Sequence, residues 1–403
     1  KRKKEAKATM SQLVFPHLYK STTPKAVIRV DDKWYDVTAW RASHPGGAQC
    51  LDIFHNKDAT DAFYSLHSKE AVDQLFRMKG KPVDEKELQR EKVSEDFRKW
   101  DQQLQRDGWY KRTWACDLFF DILPVLFLIT VGTMICHSWP ILATLMIGYA
   151  MQQAGWLGHD FVHGRGQLCW LLGNTLPALI CGFSTQWWSN KHNAHHNWPN
   201  RFRVDYDIHN EPILHLFFPE PKDDVWYRKY QHKYYLIAYA FLYVSWRIQS
   251  IQFALGSKNW LERTQIAINY IWLAYLPWKV AVGSVLLGGL LVALVVTVNH
   301  QVVDLIPTDA PYNFIVDQYK STCGVHCSDY FMEHAFGGLQ YQIEHHLFPM
   351  MPRYYYPAIR PLCKKFAEEH GLPWRVAGVW EIEVMNYEAI KHFAGDPPKE
   401  KAQ

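Results

Sequence analysis

Three histidine clusters stand out in the 403-residue sequence: His159 and His163, then His192, His195 and His196, then His345 and His346 with Gln342 ahead of them. Spacings of three or four residues turn side chains onto one face of a helix, within reach of a common metal ion. His300 adds a further imidazole. Imidazole suits iron, copper, zinc and nickel, and this many nitrogens exceeds what one tetrahedral zinc can use. Two metal ions are therefore expected, and iron is the better fit if the chemistry is oxygen activation, because zinc has no redox chemistry. An isolated histidine is more often an ordinary surface or core residue, but three tight clusters are not explained that way. The remaining histidines, such as His137, His215 and His326, are not expected to be ligands.

A separate pair lies near the N-terminus: His44 in the turn Ser43-His44-Pro45-Gly46-Gly47, and His67 further on. The glycines let backbone pass close to a flat cofactor. Two axial histidines on a haem iron leave no open position for substrate, so such a haem only moves electrons. Together with the preceding Lys33-Trp34-Tyr35-Asp36-Val37-Thr38, this stretch resembles the cytochrome b5 family, which implies a haem b held between His44 and His67.

A chain of this length exceeds what one hydrophobic core usually serves. The expected division is a basic N-terminal segment at 1–23, a haem domain at 24–83, a charged linker at 84–112 and a membrane domain at 113–403. Apolar residues concentrate between Phe119 and His300, with Trp and Tyr frequent, which is the pattern of membrane segments with aromatic belts. Residues 119–135 and 141–157 read as two spans joined by the tight connection Cys136-His137-Ser138-Trp139-Pro140. Residues 266–277 are short for a span, whereas 280–298 are long and nearly free of charge. Residues 234–251 are apolar but carry Arg247, and read as an amphipathic helix lying flat at the interface. Four crossings then bring every histidine cluster to one face, and a further crossing at 234–251 would strand the third. Lys1, Arg2, Lys3, Lys4, Lys7, Lys111 and Arg112 lie on that same face, which the positive-inside rule makes cytosolic. The expected fold is an α+β cytochrome b5-like haem domain, followed by an all-α membrane domain with four transmembrane helices and a cytosolic, histidine-rich di-iron cap.

No signal peptide is visible, and a basic opening without methionine suggests a trimmed N-terminus. The eight cysteines fit a reducing compartment; Cys116, Cys136, Cys169 and Cys181 lie in or beside apolar stretches, where free cysteine acts as a small hydrophobe. Cys323 and Cys327 flank His326, but no second pair completes a zinc framework. The charge-dense stretch from Lys81 to Lys111 reads as a solvated helical tether that keeps the electron donor at high effective concentration. Asp205 and Asp207 read as part of a solvated loop in preference to partners of the ligand histidines.

An electron-transfer haem beside a multi-histidine site at a membrane surface is what reducing an oxygen-splitting di-iron centre requires. Such a centre takes hydrogen from an unactivated C–H bond; loss of two vicinal hydrogens gives an alkene, and oxygen rebound gives an alcohol. The protein's part is to position the chain and exclude water. A lipid tail entering an apolar tunnel from the bilayer is the expected substrate.

His159-Asp160-Phe161-Val162-His163, His192-Asn193-Ala194-His195-His196 and Gln342-Ile343-Glu344-His345-His346-Leu347-Phe348-Pro349 resemble the three histidine boxes of membrane fatty acyl desaturases. With the haem domain, the resemblance covers almost the whole chain. Glutamine at the head of the third box is similar to the b5-fused front-end subfamily. The resemblance implies insertion of a cis double bond between the carboxyl end and an existing double bond of a polyunsaturated chain. It implies a fatty acyl lipid or acyl-CoA substrate, O2, and NADH-cytochrome b5 reductase as electron donor, with no nucleic-acid partner. It further implies places for Gln342 and His300 in the metal environment, a water-mediated contact from Asn299, and a multi-pass location in the endoplasmic reticulum membrane; Trp187, Trp188 and Gly337-Gly338-Leu339 fall where the family shapes the acyl tunnel and packs the third box, the other reading being interfacial aromatics and a helix-packing glycine pair. Two other readings stay open: a sphingolipid desaturase or b5-fused lipid hydroxylase, and a membrane haem protein that only passes electrons.

Overall fold

Short β-branched and aromatic runs open the folded chain. In the computed structural model, which describes residues 25–84, 88 and 91–397, Val27–Val30 pairs antiparallel with Lys33–Asp36, and Lys33–Asp36 with Lys81–Pro82. The basic segment expected at 1–23 lies outside the described residues. Ile28, Val30 and Tyr35 are buried and share a core with Leu51, Ile53, Phe63 and Leu75 from the helices Ala48–Ile53, Thr60–Leu66 and Lys69–Phe76. His44 stands in the turn before the first of these helices, and His67 ends the second.

The linker departs from expectation. Its helix, Lys92–Asp107, buries Val93, Phe97 and Leu104. Phe97 stacks on Phe348 at 5.3 Å between ring centroids, and Trp100 on Phe366 at 5.2 Å. Residues 93, 97, 100 and 104 fall on one helical face, so the segment is a docked helix and not a solvated tether. Dense charge on the other faces hides this stripe in a composition count.

Two described helices are long and apolar enough to cross a membrane, Trp114–Ile135 and Trp278–Gln301. Gln167–Cys181 and Thr185–Asn197, bent by 111°, make a third if taken as one broken span. Large apolar side chains point outward along this region, among them Phe119, Phe120, Phe127, Ile141 and Trp278. Between the two spans runs Pro140–His163, whose proline occupies the first turn, where its missing N–H costs nothing. Its mid-helix glutamines are turned inward: Gln152 Nε2 donates to Leu291 O at 3.0 Å and Gln153 Nε2 to His334 O at 3.1 Å. These bonds offset part of the cost of burying the two amides, and Gln152 Oε1 stays buried without a protein partner.

The flat amphipathic helix expected at 234–251 is replaced by two helices, Gln231–Ala240 and Leu242–Gly256. Arg247 is buried and donates to Asn269 Oδ1 at 2.8 Å, and the buried Tyr243 donates to Met151 O at 3.1 Å. Ile237, Phe241, Ile248 and Leu255 face outward. Polar groups inside and apolar ones outside invert the pattern of a helix on a water interface. The second part of the chain is also not wholly helical: Gly324–His326 pairs parallel with Val376–Gly378. This pairing buries Cys323 and Cys327, and both thiols are free.

Candidate metal centre

Local sequence rules place the clustered histidines. Ser184 Oγ accepts the N–H of Trp187 and starts the helix Thr185–Asn197, whose spacing brings His192, His195 and His196 onto one side. The last turn of Pro140–His163 carries His159 and His163. The short helix Val298–Gln301, continuous with the preceding span, carries His300. Gln342–Leu347 carries Gln342, His345 and His346. This last helix is reached through Gly337 and Gly338, both at positive φ; a Cβ on Gly337 would stand 2.2 Å from Trp156 Cδ1, so no larger residue fits.

The histidines converge in two groups. His159, His163, His192, His196 and His345 form one, and His195, His300 and His346 the other; ligand atoms within each group lie within 4.8 Å of one another. The groups adjoin, with His196 and His346 stacked at 4.4 Å between ring centroids. Gln342 joins the second group through Nε2, 2.8 Å from His300 Nε2.

Hydrogen bonds fix which nitrogen of several rings carries the proton. His195 Nδ1 donates to Asp205 Oδ2 at 2.8 Å, His300 Nδ1 to Ser321 O at 2.9 Å, and His346 Nδ1 to Gln318 Oε1 at 2.7 Å. These oxygens accept, so the proton sits on Nδ1 and Nε2 keeps its lone pair. His345 Nδ1 lies 3.2 Å from Tyr356 Oη. The Nε2 atoms of His163, His345 and His346 and Gln342 Oε1 are buried without a protein partner. Unpaired buried donors of this type are costly unless something binds them, and imidazole nitrogen with amide oxygen is a donor set that metal ions accept. Burial, reinforced by neighbouring histidines, pushes His345 and His346 well below the ordinary imidazole range, keeping them neutral as ligation demands.

Asp205 corrects the sequence reading. It is fully buried, facing His195 and accepting the N–H of Asn200 at 2.8 Å, and not part of a solvated loop. Burial alone would raise its carboxyl, but the His195 imidazole and the donated hydrogen bonds hold it below the usual carboxylate range. Asp207, half-exposed, pairs with Lys191 at 2.7 Å. Carboxylates behind ligand histidines typically set metal affinity by about 10- to 100-fold. Asp205→Asn is therefore expected to weaken metal retention by about that factor in a chelator titration followed by metal analysis. Gln318, Ser321 and Tyr356 were not singled out from sequence. Gln318 and Ser321 lie far from the boxes along the chain, Tyr356 lies 11 residues past His345, and an isolated Gln, Ser or Tyr carries no spacing signal.

An apolar cavity opens beside the cluster. Trp156, Phe183, Trp188, Tyr243, Trp246 and Val292 line it, together with His159, His192, His195, His300 and Gln342. Trp188 stacks on His192 at 4.2 Å, which joins a tunnel wall to a histidine of the cluster. Trp187 instead is buried against Trp246 at 6.1 Å.

In the N-terminal unit the rings of His44 and His67 are 5.8 Å apart and tilted by 44°. His67 Nδ1 donates to Phe63 O at 2.9 Å and His44 Nδ1 to Gly47 O at 3.2 Å, which leaves Nε2 of each ring for an axial bond. Burial pushes His67 down to about 3 and lowers His44, so both rings are neutral.

Comparison with known proteins finds two families along the chain. Residues 136–378 match the family described as Fatty acid desaturase, and residues 17–149 match the Cytochrome b5-like Heme/Steroid binding domain. The second match runs past the strand-and-helix unit, which closes at Lys81–Pro82. The sequence is 30% identical to a Delta(6)-fatty-acid desaturase of Caenorhabditis elegans, over 91% of this chain and 96% of that protein. It is 30% identical to a Delta(8)-fatty-acid desaturase of Euglena gracilis, covering 86% of this chain and 90% of that one. A Delta(5) fatty acid desaturase of C. elegans is 28% identical over 93% of this chain and 97% of its own length.

Proposed function

The chain belongs to the fatty acid desaturase family, with a cytochrome b5-like domain at its N-terminal end, and we propose on that footing that it is a front-end desaturase. It inserts a cis double bond between the carboxyl end and an existing double bond of a polyunsaturated acyl chain. The observation that carries the reading is the pair of adjoining imidazole groups on the wall of an apolar cavity. Relatives named Delta(6), Delta(8) and Delta(5) desaturases, together with Gln342 at the head of the third box, support the front-end assignment.

Two iron ions are the cofactor of choice at the cluster. His159, His163, His192, His196 and His345 hold one, and His195, His300 and His346 with Gln342 hold the other. Bound there, iron supplies oxygen activation and the abstraction of hydrogen from carbon. His44 and His67 hold haem b within a domain at 24–83, joined by residues 84–112 to the membrane domain at 113–403. Removing two hydrogens from one acyl chain while reducing one O2 to two waters takes two further electrons and two protons. NADH-cytochrome b5 reductase is the donor of those electrons. The chain's own contribution is positional: Trp188, Tyr243 and Trp246 hold the tail and exclude water beside the imidazoles, which keeps an oxidising site from side reactions. Four membrane crossings put the cluster and haem domain on the cytosolic face of the endoplasmic reticulum.

The test is lipid profiling of a host that lacks polyunsaturated acids, expressing this chain or its His345→Ala variant and fed dienoic and trienoic acids. A new double bond on the carboxyl side, absent with the variant, is the expected result. A hydroxylated lipid or a modified sphingoid base would refute the front-end assignment.

A further inference from the structure

The helix Thr185–Asn197 has two faces with different tasks. At 100° per residue, His192, His195 and His196 share one side, and Asn190, Asn193, Ala194 and Asn197 share the opposite one. That opposite face meets the His44 turn. A Cβ on Gly47 would lie 3.0 Å from Asn190 Cγ, and one on Gly46 would lie 3.6 Å from Asn193 Nδ2. Ala194 packs with Cys50 of the helix that follows the turn.

Trp198 closes this contact. It caps the helix, its N–H donating to Ala194 O and His195 O, both at 3.1 Å. Its ring is buried among four partners. Phe54 of the haem domain lies at 5.5 Å and Tyr312 stacks at 3.9 Å; Lys57 Nζ and the Arg201 guanidinium lie over the ring at 4.7 and 4.8 Å. A buried aromatic gripped by rings and cations is the usual anchor of a packed interface. A second point of contact lies at the other haem ligand, where Arg165 donates to Leu66 O, next to His67, and to His163 O.

We propose that Trp198 is a positioning residue that pins the haem domain to the back of the metal-ligand helix. It thereby fixes the separation between the His44/His67 pair and the histidine cluster. This rests on reading those histidines as cofactor ligands, so the test includes a measurement that needs no cofactor. The variants are Phe54→Ala, on the haem-domain side of the contact, and Trp198→Ala, with Trp198→Phe as the conservative change, all in the holoprotein.

Hydrogen exchange should rise in both Ala48–Ile53 and Thr185–Asn197 for Phe54→Ala and Trp198→Ala, and stay low for Trp198→Phe. In a single turnover with substrate and O2, reoxidation of the reduced haem should slow at least about tenfold in the two alanine variants. That is the factor expected when an anchor worth about 1.4 kcal/mol or more is removed. The haem spectrum and the KM for acyl substrate should not move in Phe54→Ala. Unchanged exchange in Phe54→Ala would overturn the proposal. So would metal loss in Trp198→Ala with wild-type reoxidation in Phe54→Ala, because the indole would then serve only its own helix. Raised exchange without any haem reoxidation in the parent protein would sustain the docking contact and refute the functional reading instead.

Discussion

A His345→Ala protein is expected to keep its haem spectrum, lose bound metal and fall at least about a hundredfold in desaturation. His345 sits at the crowded centre of the larger group, 4.4 Å from His159 and 4.6 Å from His196 between ring centroids. Its Nε2 has no protein partner to compensate, and its Nδ1 faces Tyr356, so the ring is oriented toward the cluster from behind. Outer hydrogen-bond partners alone are typically worth up to about a hundredfold in activity, and removing the ligand itself should exceed that. His346→Ala should behave alike, since its ring stacks on His196 and couples the two groups. Iron analysis and product quantification on the same purified sample check both variants. Full activity in either would mean that the clusters do not hold the reactive metal.

His44→Ala gives the complementary outcome: no haem absorbance, full metal content, and at least about a hundredfold less turnover supported by NADH and reductase. The rings of His44 and His67 face each other at 5.8 Å, each tied through Nδ1 to a backbone carbonyl. With one ring gone, the remaining imidazole would hold a haem from one side only, and the group would be lost. A chemical reductant that reaches the cluster directly should restore part of the activity. Absorbance spectra, metal analysis and turnover with each reductant separate the two defects. Loss of metal in His44→Ala would show that the two sites do not assemble independently.

The histidine clusters were legible because metal binding needs particular residue types at helical spacing, and that pattern is local. The HPGG turn was legible for the same reason. What escaped was whatever depends on contacts distant in sequence. Asp205 looks like one more loop acid until the fold carries it behind His195. Gln318 serves His346 from 28 residues away, and no period links them. Residues 92–107 look solvated by composition, yet Phe97 and Trp100 on one face dock on Phe348 and Phe366. Arg247 looked like a mark of water when it is a buried partner of Asn269. In each case tertiary packing overrode a local inference from polarity.

The docked helix Lys92–Asp107 bears on how separable the two halves are. Cutting the chain before residue 113 would strip cover from Phe348, two residues beyond His346, and from Phe366, and removing the haem domain would also bare Trp198 at the end of the second box. The electron-transfer module therefore doubles as part of the shell around the oxidising centre. Exchange of one haem domain for another between relatives should succeed only when the counterparts of Phe54, Phe97 and Trp100 travel with it, since a donor of suitable potential but mismatched surface would leave the boxes without their outer wall.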